Sequence, residues 1–251
     1  MQSDTFNKLV DEISALTHRW SVQEIWFSGF GECLLHPNLS EYIKHIKNVL
    51  NVYVGITTNG LLLTPQTIEK LTSSGVTSIV VSIHGLETHY NQIIENPPFE
   101  ILLKQMRNLI RSAAGKTSVS IAAVETNLNR EHLHSGAFKE FWKNEGVRSV
   151  EIFPCHTRGG SFSDERIASF QKNVMLEDCA IFLPIQFIAW NGDLLGCCSD
   201  LDGETRIGNI HDNSLETLLM KKWEINNPRR RFARCRTCPD VFSAESVGKR
   251  D

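Results

Sequence analysis

The chain contains no run of about 18 apolar residues, so a membrane-crossing helix is not expected. Its first six residues, Met1 to Phe6, are polar and lack the apolar core of a secretory leader, which points to the cytoplasm. It has little net charge. The balance of -3 gives no reason to expect nucleic acid or an anionic membrane as partner. Low-complexity tracts and solenoid-type repeats are absent, which excludes repeat arrays. What is present is ordinary globular composition, 41% apolar and 22% charged, over 251 residues. That length suits one barrel-sized domain with an appendage or two small domains. The one basic run, Arg229-Arg230-Arg231 with Arg234 and Arg236, is read as a solvated face. A second reading places these cations beside an anionic thiolate cluster.

Periodicity organises the first two thirds of the chain. Phe6, Leu9, Val10, Ile13 and Leu16 mark a helix, with Ser3 or Asp4 as its cap. Strands are expected over 22–28, 52–57, 78–83, 119–124 and 149–153. Between them come helices beginning near Pro37 and Pro65, then over 99–113 and 130–144. Thr64 is placed to cap the Pro65 helix, Leu63 and Ile68 to staple it, and Gly75 to stop it. Strands alternating with helices at this interval imply an α/β fold with a parallel sheet. The rhythm changes after Gly159-Gly160, and a domain boundary is expected near residue 162, dividing 1–162 from 163–251. A linker with a helix (161–178), a hairpin turning at Asn191-Gly192 and a helix over 214–223 follow. The last residues, 241–251, are expected to fray.

Seven cysteines in a chain expected to be cytosolic are not a disulfide framework, and their grouping points to metal. Cys235 and Cys238 form a CxxC pair that can present two thiolates to one centre. Cys179 lies upstream, and Cys197-Cys198 ends the hairpin. Neighbours on a strand point to opposite faces, so one of Cys197 and Cys198 is expected to ligate. One sulfur from each group makes four, the number required by a zinc site and by a 4Fe-4S cluster alike. Spacing leaves the two open. Cys155 is read as a small buried hydrophobe.

Further segments carry a resemblance. Ser28-Gly29-Phe30-Gly31-Glu32-Cys33-Leu34-Leu35-His36-Pro37 resembles the Gly-Gly-Glu-Pro region of radical S-adenosylmethionine (SAM) enzymes. Thr57-Thr58-Asn59-Gly60 and Val80-Val81-Ser82-Ile83-His84-Gly85 resemble the ends of the next two barrel strands. Cys179, Asp193 to Asp200, Ile207 to Ile210 and Cys235-x-x-Cys238 resemble the SPASM/twitch extension, which carries auxiliary clusters. The resemblance implies a partial (β/α)6 barrel missing its first strand, followed by a small C-terminal α+β iron–sulfur domain. It implies SAM at the C-terminal ends of the strands. Glu32, on the turn through Gly31, would take the methionine amino group, and Ser82 the ribose. Asn59 and Arg158 fall where contacts to SAM or substrate are plausible, with a plain turn residue as the equal reading of Asn59. His36, His84 and His156 are read as structural or substrate-lining. The implied chemistry is hydrogen abstraction from a peptide or small molecule by a 5′-deoxyadenosyl radical. The 4Fe-4S auxiliary cluster would pass an electron or anchor the substrate.

Two departures from the family stand out. Cys33 replaces the usual proline, which changes loop stiffness. The CxxxCxxC motif that holds the catalytic cluster is not in this sequence, and the chain begins at the helix that would follow it. A strand at 22–28 is therefore expected to present a free edge. The favoured explanation is a start lying upstream. The others are a second polypeptide supplying the missing strand, or a non-catalytic relative serving as a scaffold with a structural metal.

Overall fold

A computed structural model describes residues 1–94, 97–158, 164, 179–226, 231–236 and 238. In chain order the elements are α1 (Ser3–Leu16), β1 (Glu24–Phe27), α2 (Leu39–Val49), β2 (Tyr53–Thr58), α3 (Pro65–Ser73) and β3 (Ser78–Ser82). Next come α4 (Glu87–Ile93), α5 (Phe99–Ala113), β4 (Ser118–Glu125), α6 (Arg130–His134), α7 (Ala137–Asn144) and β5 (Ser149–Pro154). The C-terminal part holds β6 (Phe187–Ile188), β7 (Asp193–Leu195), β8 (Arg206–Asn209), α8 (Leu215–Glu224) and α9 (Ala233–Arg236). They form two compact units. One is built on Val22–Cys155; the other joins Met1–Ser21 to the described residues from 156 onward. The expected boundary at 162, the helix expected within 161–178 and the tail 241–251 lie outside the described residues.

The larger unit is the expected α/β layer. Its five strands are parallel and in sequential order, β1 to β5. Side chains alternate across a strand, and the register aligns Ile56 with Ile79 and Ile79 with Val119. These residues, with Val54, Val81 and Ile121, form a buried aliphatic centre on one face of β2, β3 and β4. The opposite face carries Gly55, Thr57, Ser78, Ser82, Ser120 and Ser149. Ser149 Oγ donates to Ser120 Oγ at 3.1 Å. Trp26 lies across Gly55, where a Cβ would stand 2.5 Å from the indole ring, so only glycine fits beneath it. In the five-stranded sheet β1 stands at one end, next to β2.

Local signals explain the helix ends. Thr64 Oγ1 accepts from Thr67 N, Pro65 opens α3, and Leu63 and Ile68 are buried. Two expectations are corrected. The α1 N-cap is Gln2, without a side-chain cap bond, not Ser3 or Asp4. The helix expected over 130–144 is two, α6 and α7. Gly136, at φ 86°, takes a left-handed conformation that ends one helix before the other begins.

In the smaller unit β6, β7 and β8 form an antiparallel sheet, the third strand being unforeseen. The α1 stripe packs here: Leu16 joins Leu194, Ile210, Leu215, Leu218 and Leu219 in one core, with Leu9, Ile13 and Trp20 against it. Glu12 Oε2 accepts from Leu215 N, and Arg19 pairs with Glu216. Gly192, at the expected hairpin turn, has φ 88°, and a Cβ there would crowd Ile210 and Thr5. Among the described residues no helix is long and apolar enough to cross a membrane.

Candidate functional site

Parallel strands bring their C-terminal ends to one edge, so Phe27, Thr58, Ser82, Glu125 and Pro154 end side by side. Directly after β1, Gly29 and Gly31 adopt φ 121° and 91°, and this turn presents Glu32. Its Oε1 accepts from Leu34 N at 2.9 Å and from the Thr58 hydroxyl at 2.8 Å. Its Oε2 accepts from Asn59 N at 2.8 Å. The carboxylate thus fastens the loop after β1 to the loop after β2. A carboxylate offers about four acceptor positions, and Oε2 keeps one open. Thr58, which also accepts from Gly60 N at 3.1 Å, is the partner that sequence reasoning did not single out.

The other residues singled out at strand ends divide. Asn59 Oδ1 accepts from Leu61 N at 2.9 Å, the bond of a turn residue. Ser82 ends β3 half-buried, and among the described residues nothing bonds its hydroxyl. Cys33 donates to Thr57 O at 3.2 Å; burial, helped by the Glu32 charge, pushes its thiol up to about 12. The thiol is thus held protonated, as a donor to the end of β2. His36 Nδ1 accepts from Asn38 N at 3.2 Å in a local turn.

His84 is structural. Its Nδ1 accepts from Val124 N at 3.0 Å, while its carbonyl accepts from Asn129 Nδ2 at 2.9 Å. Buried Asn129 also donates to Val124 O at 3.0 Å, clamping β3 to β4. His132 Nε2 accepts from Leu86 N at 3.1 Å, and its ring stacks on His89 at 4.0 Å. Both acceptor nitrogens must be unprotonated. Burial lowers the pKa of His84; burial and then the His89 charge lower that of His132. A depressed folded pKa contributes stability that is complete above the unfolded value, 6.5, and is lost as pH falls below it. The melting temperature is accordingly expected to fall between about pH 7 and pH 5. The double variant His84→Asn, His132→Gln, which keeps neutral acceptors, should flatten that dependence; an equally steep curve in the variant would refute this assignment.

The second site belongs to the smaller unit. Cys197 and Cys198 follow β7, and Cys235 lies in α9. Gly196 precedes them without a side chain, and a Cβ there would stand 3.0 Å from Phe232 and 3.3 Å from Phe182. The Cys198 thiol is drawn down to about 7, chiefly by its hydrogen bond with Cys197, with Ser199 and Arg158 adding. The same bond, and burial, push Cys197 up. Burial also raises Cys235, as do the charges of Cys197 and Cys179, against a downward pull from Arg231. Arg158, at φ 56°, thus acts on the cysteine site within its own unit.

Two side chains organise this site. Asp200 is buried, and its Oδ1 accepts from the backbone N–H groups of Asp202, Gly203 and Glu204. Its Oδ2 accepts from Thr205 N at 2.7 Å and Thr205 Oγ1 at 2.6 Å. Arg234 Nη1, one residue before Cys235, donates to Asp200 Oδ1 at 3.0 Å. This pair ties α9 to the loop after Cys197-Cys198. Lys222, 1% exposed, donates from Nζ to Ile185 O at 2.7 Å and to Gln186 Oε1 at 3.0 Å. Burial lowers its ammonium to about 8, while Cys197, Cys179 and Cys198 pull it back up. Arg231 is also buried. The solvated-face reading of the basic run is therefore corrected for Arg231 and Arg234, while Arg229, Arg230 and the Arg236 side chain lie outside what the structure describes. An aspartate followed three residues on by glycine is a signal that could have marked the Asp200–Gly203 turn; a buried lysine on a helix of ordinary pattern carries no such signal.

Among the described residues no three Cys, His, Asp or Glu side chains stand close enough to share one metal ion. An iron–sulfur cluster asks for a different arrangement, since each thiolate takes its own iron. Soft sulfurs acting on one another beside two buried cations fit such an anionic, thiolate-held group.

Comparison with known proteins identifies the family. The family model described as the radical SAM superfamily matches residues 1–135. The chain belongs to the radical SAM superfamily. A second model, SPASM, described as an iron–sulfur cluster-binding domain, matches residues 179–239 and so spans all five cysteines of the second site. The tungsten-containing aldehyde ferredoxin oxidoreductase cofactor-modifying protein of Pyrococcus furiosus is 27% identical over 138 residues, 53% of this chain and 38% of that protein. A probable GTP 3′,8-cyclase of Methanococcus maripaludis is 30% identical over 131 residues, 52% of this chain and 42% of the relative. These matched segments span about two fifths of the relatives' length. Among solved structures, BtrN in complex with AdoMet and 2-DOIA superposes with TM-score 0.61 at 18% identity, covering 96% of this chain and 81% of that one. SuiB of Streptococcus suis bound to precursor peptide SuiA gives 0.66 at 13% identity, covering 93% and 64%. The shared feature is the fold: a parallel α/β layer followed by a small antiparallel domain.

Proposed function

We propose that this radical SAM chain binds SAM along the C-terminal edge of its parallel sheet and holds an auxiliary 4Fe-4S cluster in its C-terminal unit. The observation that carries the reading is Glu32. Its carboxylate accepts from Leu34 N, the Thr58 hydroxyl, Asn59 N and, at 3.7 Å, the Cys33 thiol; among the described residues Oε2 takes one of these bonds and keeps an acceptor position suited to an ammonium group. Ser82, whose hydroxyl has no bond among the described residues at the end of β3, is assigned to the ribose, and Gly31 to the turn that allows close approach. Asn59 is assigned to shaping the pocket. Arg158, by contrast, is assigned to the cysteine site.

The cluster ligands are proposed as Cys179, one of Cys197 and Cys198, Cys235 and Cys238. The groups so bound supply radical and electron-transfer chemistry; the chain's own residues bind, orient and exclude water. The domain division near 162 is kept as part of this reading. The complete enzyme is proposed to modify a peptide or small molecule, both of which occur among its structural neighbours. In the sheet of the described residues β1 stands at one end, and that end is proposed as the place where a further strand, such as one from another polypeptide, would add.

The test is anaerobic purification, reconstitution with iron and sulfide, and metal analysis. About four irons per chain with broad visible absorption are expected, and Cys235→Ala should lose most of both. A colourless chain carrying one zinc would overturn the cluster assignment.

A further inference from the structure

Two buried cations in the smaller unit have no carboxylate partner among the described residues. Lys222 Nζ has three N–H donors, and the two bonds it makes go to neutral acceptors, Ile185 O and Gln186 Oε1. Among the described residues Arg231 bonds Asn226, Nε to its carbonyl at 2.9 Å and Nη2 to its Oδ1 at 2.6 Å. Both lie over the Phe182 ring, Lys222 Nζ at 5.3 Å and the Arg231 guanidinium carbon at 4.8 Å from its centroid. Phe182 comes this close to the cysteine loop because Gly196 has no side chain.

A buried ammonium and guanidinium with only neutral partners are costly unless an anion lies near. The groups on which these two cations act are sulfurs: Cys179, Cys197 and Cys198 for Lys222, and Cys235 for Arg231. Lys222 also stands in the last turn of α8, where the helix dipole favours a cation.

We propose that Lys222, seconded by Arg231 across Phe182, is the built-in counter-charge of the cysteine-bound iron–sulfur cluster and sets its reduction potential. The inference rests on the cluster assignment made above. A cluster held by four thiolates is anionic and gains one more negative charge when it accepts an electron. A fixed cation beside it stabilises the reduced form more than the oxidised form and raises the potential. Lys222 is thus a positioning residue for charge, not a ligand.

The experiment is a redox titration of the reconstituted full chain with dithionite as electron donor, followed by electron paramagnetic resonance of the reduced cluster. Lys222→Gln keeps a donor for Ile185 O but removes the charge. Its reduction equilibrium should become at least tenfold less favourable, about 59 mV more negative for one electron. Lys222→Arg should stay near the wild type, and Arg231→Gln should move in the same direction as Lys222→Gln. If neutral variants fail to assemble a cluster that Lys222→Arg and Arg231→Lys do assemble, the counter-charge role also stands. An unchanged potential in Lys222→Gln overturns the proposal, as does failure of the charge-keeping variants to assemble. Absence of iron from the wild-type chain would instead overturn the cluster reading beneath it.

Discussion

Asp200→Ala is expected to be the most damaging polar substitution in the C-terminal unit, costing about 3–5 kcal/mol. The carboxylate is fully buried and collects four backbone N–H groups, the Thr205 hydroxyl and Arg234. Alanine leaves those donors without their acceptor and strips Arg234 of a buried partner. Its remaining carboxylates, Asp202 at 3.4 Å and Glu204 at 3.2 Å, are exposed. A loss of that size is a large share of the stability of a domain. The effect should reach the cysteines, because Arg234 adjoins Cys235 and the pair holds α9 to the loop after Cys198. Denaturant unfolding should show the lost stability, and iron per chain after reconstitution should fall with it. Asp202→Asn, removing one exposed partner, should change stability by less than about 0.5 kcal/mol. Wild-type stability and iron content in Asp200→Ala would remove Asp200 from the site.

Glu32→Gln should have the second large effect, and on two separate readouts. Glutamine keeps one oxygen, so one of the two loops must meet an N–H₂ donor with its own donor. That mismatch costs about 1–3 kcal/mol and should lower the melting temperature. Loss of the charge should weaken SAM binding at least tenfold, about 1.4 kcal/mol, in equilibrium dialysis or calorimetry. The two effects separate the rival roles of the residue. Weakened binding together with reduced stability fits a carboxylate that both fastens the loops and takes the ammonium. Reduced stability with unchanged binding would make Glu32 a loop pin alone and favour the scaffold reading of the chain.

Much of the larger unit was legible because its physics is local. The strands carry β-branched residues at alternate positions between turn signals, and all five occur close to their expected places. Thr64, Pro65 and Gly75 mark helix ends through their own backbone chemistry. The hairpin turn at Asn191-Gly192 was legible for the same reason. The third strand, β8, was not. Arg206-Ile207-Gly208-Asn209 has no strand pattern of its own and is ordered by pairing with Asp193 to Leu195. The break at Gly136 was missed because one glycine in a helical pattern does not announce a left-handed φ.

The sites divide along the same line. Residue types and their order along the chain were enough to name the family, single out Glu32 and Ser82, and group the cysteines, because each motif needs particular side chains in a particular sequence. Tertiary structure alone decided their partners. Glu32 meets the Thr58 hydroxyl 26 residues away, Arg234 meets Asp200 34 residues away, and Glu12 meets Leu215 203 residues away. The α1 stripe announced that one face would be buried, but an apolar face is non-directional and does not say against what. Lys222 shows the limit most clearly. Its side chain is charged and its helix ordinary, so the sequence predicts solvent; only the packing around Phe182 and the cysteine loop encloses it. Covalent order determines which groups are available; burial and distance, set by the whole fold, determine which of them meet and what charge each can keep.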